Sequence, residues 1–299
     1  MTDQETYLKQ IRQAHPLSEK QGFVQTSVDG VHFFWVEEHV ERCPIIYEAG
    51  LAIICQGHKV GYLEDEVFRY DKDNYLITSV TMPFECASYA TLDDPLWGIY
   101  IDLDLSELHE LVAILSQEGY FKHSELNKKL SGIETAPVHD SMRESINRLI
   151  RCLSSSLESR VMGRSYVKEI IFQALLGKHA TSLYALTLHN TPYNRIAKTL
   201  TLMRDKHCEL MNIDELAKQA GMSISVFHRA FKVVTGSSPL QYLKKIRLSR
   251  AKTLILYDGL KASVAATKVG YESASQFSRE FKRYFGVPPS EADKIGYDR

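Results

Sequence analysis

At 299 residues the chain exceeds one typical domain, and 44% hydrophobic residues suffice for real cores. The formal net charge of −1 conceals an asymmetry: residues 191–299 carry 19 Lys+Arg against 10 Asp+Glu, whereas residues 1–190 carry 17 against 27. A polyanionic partner is therefore expected for the C-terminal part alone, and no apolar run approaches the roughly twenty residues that a helical membrane span needs. The opening MTDQETYLKQ lacks the basic-then-apolar order of a signal peptide, so a cytoplasmic chain with no membrane partner is expected. Cys43, Cys55, Cys86, Cys152 and Cys208 are widely spaced without a C-x-x-C, which predicts reduced, packed thiols and neither a disulfide framework nor a zinc site.

Residues 1–19 read as a short amphipathic helix, with Tyr7, Ile11 and Ala14 on one side and Pro16 behind them. Between Phe23 and Leu103 the texture changes to short runs of β-branched and aromatic residues. Gly30, Gly50, Gly57, Gly61, the Lys72-Asp73-Asn74 stretch and Asp93-Asp94-Pro95 mark turns between them. Closely spaced short strands point to a sandwich or small barrel over about 20–105. Its aromatics are mostly core, but Phe34, Tyr47, Phe68, Tyr89 and Trp97 are candidates to line a small-molecule pocket. A metal-dependent barrel enzyme needs converging His and carboxylate ligands, whereas His32, His39 and His58 stand apart in different runs. No nucleophile elbow, phosphate loop or dinucleotide fingerprint occurs, so no enzyme, no metal and no cofactor is expected.

After Leu103 the apolar period lengthens to about three and a half. Leu105, Leu108, Val112 and Leu115 predict a helix over about 106–117 whose leucine stripe is either core or a homodimer seam. Further helices are expected over 141–155 and 163–176, completing an N-terminal domain over 1–182 with its helices at about 106–178. Residues 183–191 read as the linker to a C-terminal domain over 192–299.

That domain contains one pattern written twice. SISVFHRAFK starting at Ser223 and SASQFSREFK starting at Ser273 align at an offset of fifty, and Gly236 and Pro239 fall on Gly286 and Pro289. In the first copy Asn212 and Glu215 form a capping-box pattern for a short helix ending at Gly221. Ser223 then caps a second helix whose Phe227 and Phe231 share one face. The second copy repeats this with Gly270, Ser273 and Gln276 and the stripe Phe277, Phe281 and Phe285. Two short helices across a glycine turn, the second with polar residues outward, is the helix-turn-helix pattern that lays its second helix in the DNA major groove. The outward residues are Ser225, His228, Arg229 and Lys232 in one copy and Ala274, Ser275, Gln276, Arg279, Lys282 and Arg283 in the other. Between the copies, Ser238 and Pro239 start a helix of about eighteen residues, about 27 Å long. A rod of that length can hold two reading helices about one duplex turn apart.

Residues 212–289, with IDELAKQAGMSISVFHRAFKVVTGSSPLQYLKKIRLSRAKTLI and VAATKVGYESASQFSREFKRYFGVPPSE, resemble the DNA-binding domain of the AraC/XylS family of bacterial transcription regulators. The resemblance implies base reading by Ser225, His228, Arg229, Ala274, Ser275, Gln276 and Arg279. Ser225 is small where relatives often carry a longer side chain, which implies weak readout by the first copy. Ser223, Lys232, Ser273, Lys282 and Arg283 are the expected phosphate contacts. The runs YEAGLAIICQGHKVGYL, VFRYDKDNYLITSV and LWGIYIDLD are similar to the N-terminal effector domain of one branch of that family. This implies a cupin-like β-barrel with a small-molecule pocket, and favours dimerisation through the helix at about 106–117. The expected fold is thus mixed: a cupin-like β-barrel with helices, then an all-α domain with two helix-turn-helix motifs joined by a long helix. The expected partners are double-stranded DNA, an unidentified small-molecule effector and RNA polymerase. Two alternatives stay open: a constitutive DNA binder without ligand control, and a sensor of oxidants or electrophiles acting through Cys43, Cys55 or Cys86.

Overall fold

The computed structural model describes residues 20–121, 130–177 and 179–295, so the helix expected within residues 1–19 lies outside the described part. Nine strands follow one another closely: β1 (Gln21–Gln25), β2 (Val31–Val36), β3 (Val40–Tyr47), β4 (Gly50–Gln56), β5 (His58–Leu63), β6 (Glu66–Asp71), β7 (Asn74–Thr78), β8 (Met82–Tyr89) and β9 (Leu96–Asp102). β10 (Ile133–Pro137) joins later along β7, and every pairing is antiparallel. The strand order is β1-β2-β9-β4-β7-β6-β5-β8-β3, and no ladder joins β1 to β3 among the described residues. The expected barrel is thus a curled sheet, a half-barrel whose two end strands leave a seam.

The helices after the sheet are α1 (Leu105–Gln117), α2 (Asp140–Leu153), α3 (Ser156–Leu176) and α4 (Thr181–Thr187). Asp104 caps α1, its carboxylate accepting from the backbone N–H groups of Ser106 and Glu107. The leucine stripe of α1 is core: Leu108, Leu111, Val112 and Leu115 are buried, while Leu105 and Ile114 stay exposed. α3 begins seven residues before the expected Gly163, because Ser155 provides the cap. Gly163 sits inside the helix, where an added Cβ would come within 2.4 Å of the Val28 side chain. Close approach of the helix to the β1–β2 turn, and not a helix start, is the use of that glycine. Residues 183–191, expected as a linker, begin inside α4, where Leu183 and Ala185 are fully enclosed. Their apolar side chains pull the segment into the core, so its first half is packed structure.

The remaining helices are α5 (Pro192–Asp205), α6 (Ile213–Gln219), α7 (Ile224–Thr235), α8 (Pro239–Leu256), α9 (Ala262–Lys268) and α10 (Ala274–Phe285), followed by a 3₁₀ turn at Pro289–Lys294. α8 has the expected eighteen residues and the expected Ser238 cap with Pro239 at its first position. Its buried face uses Tyr242 and leaves Leu240 exposed. Two apolar cores result. The larger runs from the sheet through α5, α6 and α7 into the first half of α8. The smaller holds Leu248, Ala251, Val269, Phe277, Phe281 and Phe285.

Candidate DNA-binding surface and effector cavity

Each repeat builds a tight pair of helices from the same parts. Phe227 and Phe231 in α7, and Phe277 and Phe281 in α10, are completely buried, their rings 5.6 and 5.5 Å apart respectively. Gly236 and Gly286 end the two helices at φ +70° and +81°, a left-handed conformation that side chains other than glycine and asparagine seldom accept. The caps differ. Both serines lie near the hydroxyl two residues on, Ser223 at 3.4 Å from Ser225 and Ser273 at 2.9 Å from Ser275, but only Ser273 also accepts from a backbone N–H, that of Gln276 at 3.3 Å. Nor does Gln276 close a capping box. Its amide donates to Glu280 at 3.2 Å.

The buried phenylalanines turn the other face of each helix outward. Ser225, His228, Arg229 and Lys232 are exposed on α7, and Ala274, Ser275, Gln276, Arg279, Lys282 and Arg283 on α10. Ser223 is exposed and Ser273 half-buried. The polar register found in the sequence is therefore brought together on two helix faces. Glu280, on the flank of α10, accepts from Tyr271 Oη at 2.8 Å, Lys244 Nζ at 3.1 Å and the Gln276 amide, tying α10 to α8. Burial alone would lift its carboxyl, but these bonds hold it below the ordinary value.

A cavity of about 50 Å³ lies in the seam between β1 and β3. Of the five aromatic candidates, Phe34 and Tyr47 line it. Phe68, Tyr89 and Trp97 do not, and each has another use. Phe68 packs over Gly61 against Tyr70 and Phe84. Tyr89 stacks on His58 outside at 4.6 Å, and Trp97 is buried beside Phe33 with its indole N–H donating to Gln56. Tyr100 also lines it, and cavity residues not anticipated include Lys59, Gln21, Cys43 and Cys86. The signal for Lys59 was present: strand alternation puts it on the face of Gly61 and the buried Leu63. Its ammonium donates to Tyr47 Oη at 3.1 Å and stands 5.2 Å from the Phe34 ring centre, with no carboxylate paired to it among the described residues. Burial works against that charge, but Tyr47, Cys86 and Cys43 around it outweigh burial and raise its pKa. The buried side-chain oxygen of Gln21 has no hydrogen-bond partner among the described residues.

β3 stands between this cavity and the helices. Cys43, Ile45 and Tyr47 face the cavity, while α8 and α10 pass along the strand. Just beyond it, the Glu48 carboxylate accepts from Thr81 at 2.7 Å and meets Arg204 of α5 at 3.2 Å and Arg250 of α8 at 3.4 Å. The Glu48 carbonyl accepts from Tyr100 of the cavity wall at 2.6 Å. Tyr242 of α8 donates to the Thr81 carbonyl at 3.0 Å, Tyr193 of α5 is hydrogen-bonded to Ser79, and the Gly132 N–H donates to the Val234 carbonyl at 2.8 Å.

A curled antiparallel sheet with an internal cavity, docked on paired helix-turn-helix units, defines a two-domain helix-turn-helix protein. Residues 27–182 match the family described as AraC-type transcriptional regulator N-terminus, and residues 216–294 match a helix-turn-helix domain family. The chain belongs to the family of AraC-type transcriptional regulators. It is 26% identical over 154 residues to the HTH-type transcriptional activator RhaS of Escherichia coli, a match covering 52% of this chain and 55% of RhaS. The chain thus spans about half the length of those curated relatives. It is 24% identical over 252 residues to the thermoregulatory protein LcrF of Yersinia pestis, covering 81% and 88% of the two chains. The fold is similar to that of ToxT from Vibrio cholerae, with a TM-score of 0.60 at 11% identity, over 89% of this chain and 98% of that one. A second ToxT structure, with unsaturated fatty acid bound, matches with the same TM-score at 12% identity over 93% and 96%.

Proposed function

We propose that the chain is a sequence-specific DNA-binding transcription regulator whose operator binding is set by a small molecule in the seam cavity. The observation that carries this is the position of β3, with the cavity on one side and α8 and α10 alongside. A group entering the cavity bears on Tyr47, and the next residue, Glu48, holds Arg204 and Arg250 of the DNA-binding part. At about 50 Å³ the cavity is well below the roughly 150 Å³ that holds a benzene ring, so an effector of that size has to move β1 away from β3. Ligand entry is thereby converted into movement of the strand that touches the helices.

The lining selects an apolar body with one polar head: aromatic walls, the Lys59 ammonium for an acceptor or anionic group, and the unpartnered Gln21 oxygen for a donor. On DNA, Ser225, His228, Arg229, Ala274, Ser275, Gln276 and Arg279 read base edges, and Ser223, Lys232, Ser273, Lys282 and Arg283 contact phosphates. α5 opens the DNA-binding domain, its Thr191 cap marking the boundary. A homodimer through α1 would have to use Leu105 and Ile114, because the rest of its stripe is core.

Selection of genomic fragments by the purified full chain, followed by footprinting, tests the reading. The expected footprint covers two adjacent major-groove segments on one DNA face and changes when a cell extract's small-molecule fraction is added. Salt-sensitive binding with no enriched sequence sinks the specific-regulator reading. An enriched site indifferent to every fraction, and to blocking of the cavity by a Ser88→Trp change, leaves a constitutive binder.

A further inference from the structure

Antiparallel pairing of β3 with β8 sets Cys43 directly opposite Cys86. Directly opposed residues project to the same face of a sheet with Cα atoms about 4.5 or 5.5 Å apart, inside the range of about 4.4–6.8 Å that a disulfide spans. Both side chains line the seam cavity, and both are thiols in this structure. Cys43 is half-buried and Cys86 almost fully enclosed, with the Tyr70 hydroxyl 3.3 Å from its sulfur. Lys59 lines the same cavity, its ammonium donating to Tyr47 Oη at 3.1 Å. Cys55 lies outside the cavity lining, and burial pushes its thiol far above the usual range.

We infer that Cys43 and Cys86 form a reversible dithiol–disulfide site, closed by hydroperoxides such as hydrogen peroxide, that resets operator binding through β3. The more accessible Cys43 thiolate attacks one peroxide oxygen, the O–O bond breaks, and Cys43 becomes a sulfenic acid as hydroxide leaves and takes up the thiol's proton to form water. The Cys86 sulfur then attacks the Cys43 sulfur, forming the S–S bond and breaking S–O, and a second water carries off the Cys86 proton. Two thiols are oxidised by two electrons and one peroxide is reduced to two waters. Closure ties β3 to β8 at the strand that borders α10, an effect that rests on the reading of β3 given above.

The test uses the full chain carrying Cys208→Ser, which removes an exposed thiol outside the cavity. After graded hydrogen peroxide, alkylation and digestion without reductant, a Cys43–Cys86 linked peptide is expected that dithiothreitol reverses, with Cys55 and Cys152 still alkylated after unfolding. Operator affinity, measured on a site selected with the reduced protein, is expected to change at least about fivefold on closure and to stay constant in Cys43→Ser. Recovery of Cys43 and Cys86 as separate thiols at doses that consume Cys208 of the parent chain, or closure with unchanged operator affinity, overturns the inference. A reduced protein that selects no operator bears instead on the DNA-binding reading, because the linked peptide is assayed without DNA.

Discussion

The two helix-turn-helix units share a sequence pattern but not a neighbourhood. Phe227 and Phe231 of the first belong to the same apolar core as the curled sheet, and Gly236 at its end lies against Leu63 of β5. Phe277, Phe281 and Phe285 of the second form a separate core with the C-terminal half of α8. The boundary of cohesion therefore falls within α8, between Ile246 and Leu248, and not at the boundary between domains. A repeat in sequence predicts a repeat in local structure, while what each copy is coupled to depends on the surface left to it by the rest of the chain.

The comparison is broken most sharply by emptying one core at a time. Phe227→Ala and Phe277→Ala should each cost about 3–5 kcal/mol, as for other buried phenylalanines. Hydrogen exchange should show the first loosening the sheet as well as α7, and the second confined to α9, α10 and the end of α8. Equal loosening of the sheet by both would mean that the two cores unfold as one. On DNA, Arg279→Ala should weaken operator binding by about 1–3 kcal/mol and relax preference at one base pair, if it pairs with guanine. Loss that is uniform across site variants would make it a phosphate contact.

Smaller effects sharpen the picture. Tyr242→Phe removes a buried hydrogen bond to the Thr81 carbonyl and should cost about 1–3 kcal/mol in urea titrations, with the sheet and α8 reporting together. Lys282→Ala should flatten the log–log salt dependence of operator binding by about 0.9, and Lys232→Ala in the first unit by the same amount if both units grip phosphate. Acid titration separates the units as well. Glu280 titrates below its ordinary value of 4.5, so its stabilisation is complete above that pH and disappears as pH falls through the lower folded value. The second unit should therefore loosen first in acid, and Glu280→Gln should remove that pH dependence.

Much of this fold was legible in the sequence because its signals were local. The repeat at an offset of fifty, the glycine stops and the Ser238-Pro239 start fixed the C-terminal helices, and the alternating runs fixed the strands. What escaped depended on distant partners. The Ser223 hydroxyl does not cap α7 although the matching Ser273 caps α10, and Gly163 mimicked a helix boundary because Val28 had to come close. Aromatic residues were poor guides to the cavity: Phe68, Tyr89 and Trp97 serve packing elsewhere, whereas Lys59, not singled out in the sequence, lines it. The position of the open seam could not be read at all, since it follows from which strands fail to pair.

The place of β3 also constrains how such a protein can diversify. A substitution on that strand that reshapes the cavity alters the surface along which α8 and α10 rest, so a new effector and an unchanged operator are hard to reach together from there. β1 and β2 supply Gln21, Phe23 and Phe34 to the same cavity from its other side. Lineages that change their inducer while keeping their promoters should therefore accumulate replacements on β1 and β2, and directed evolution toward a new inducer should begin with those two strands.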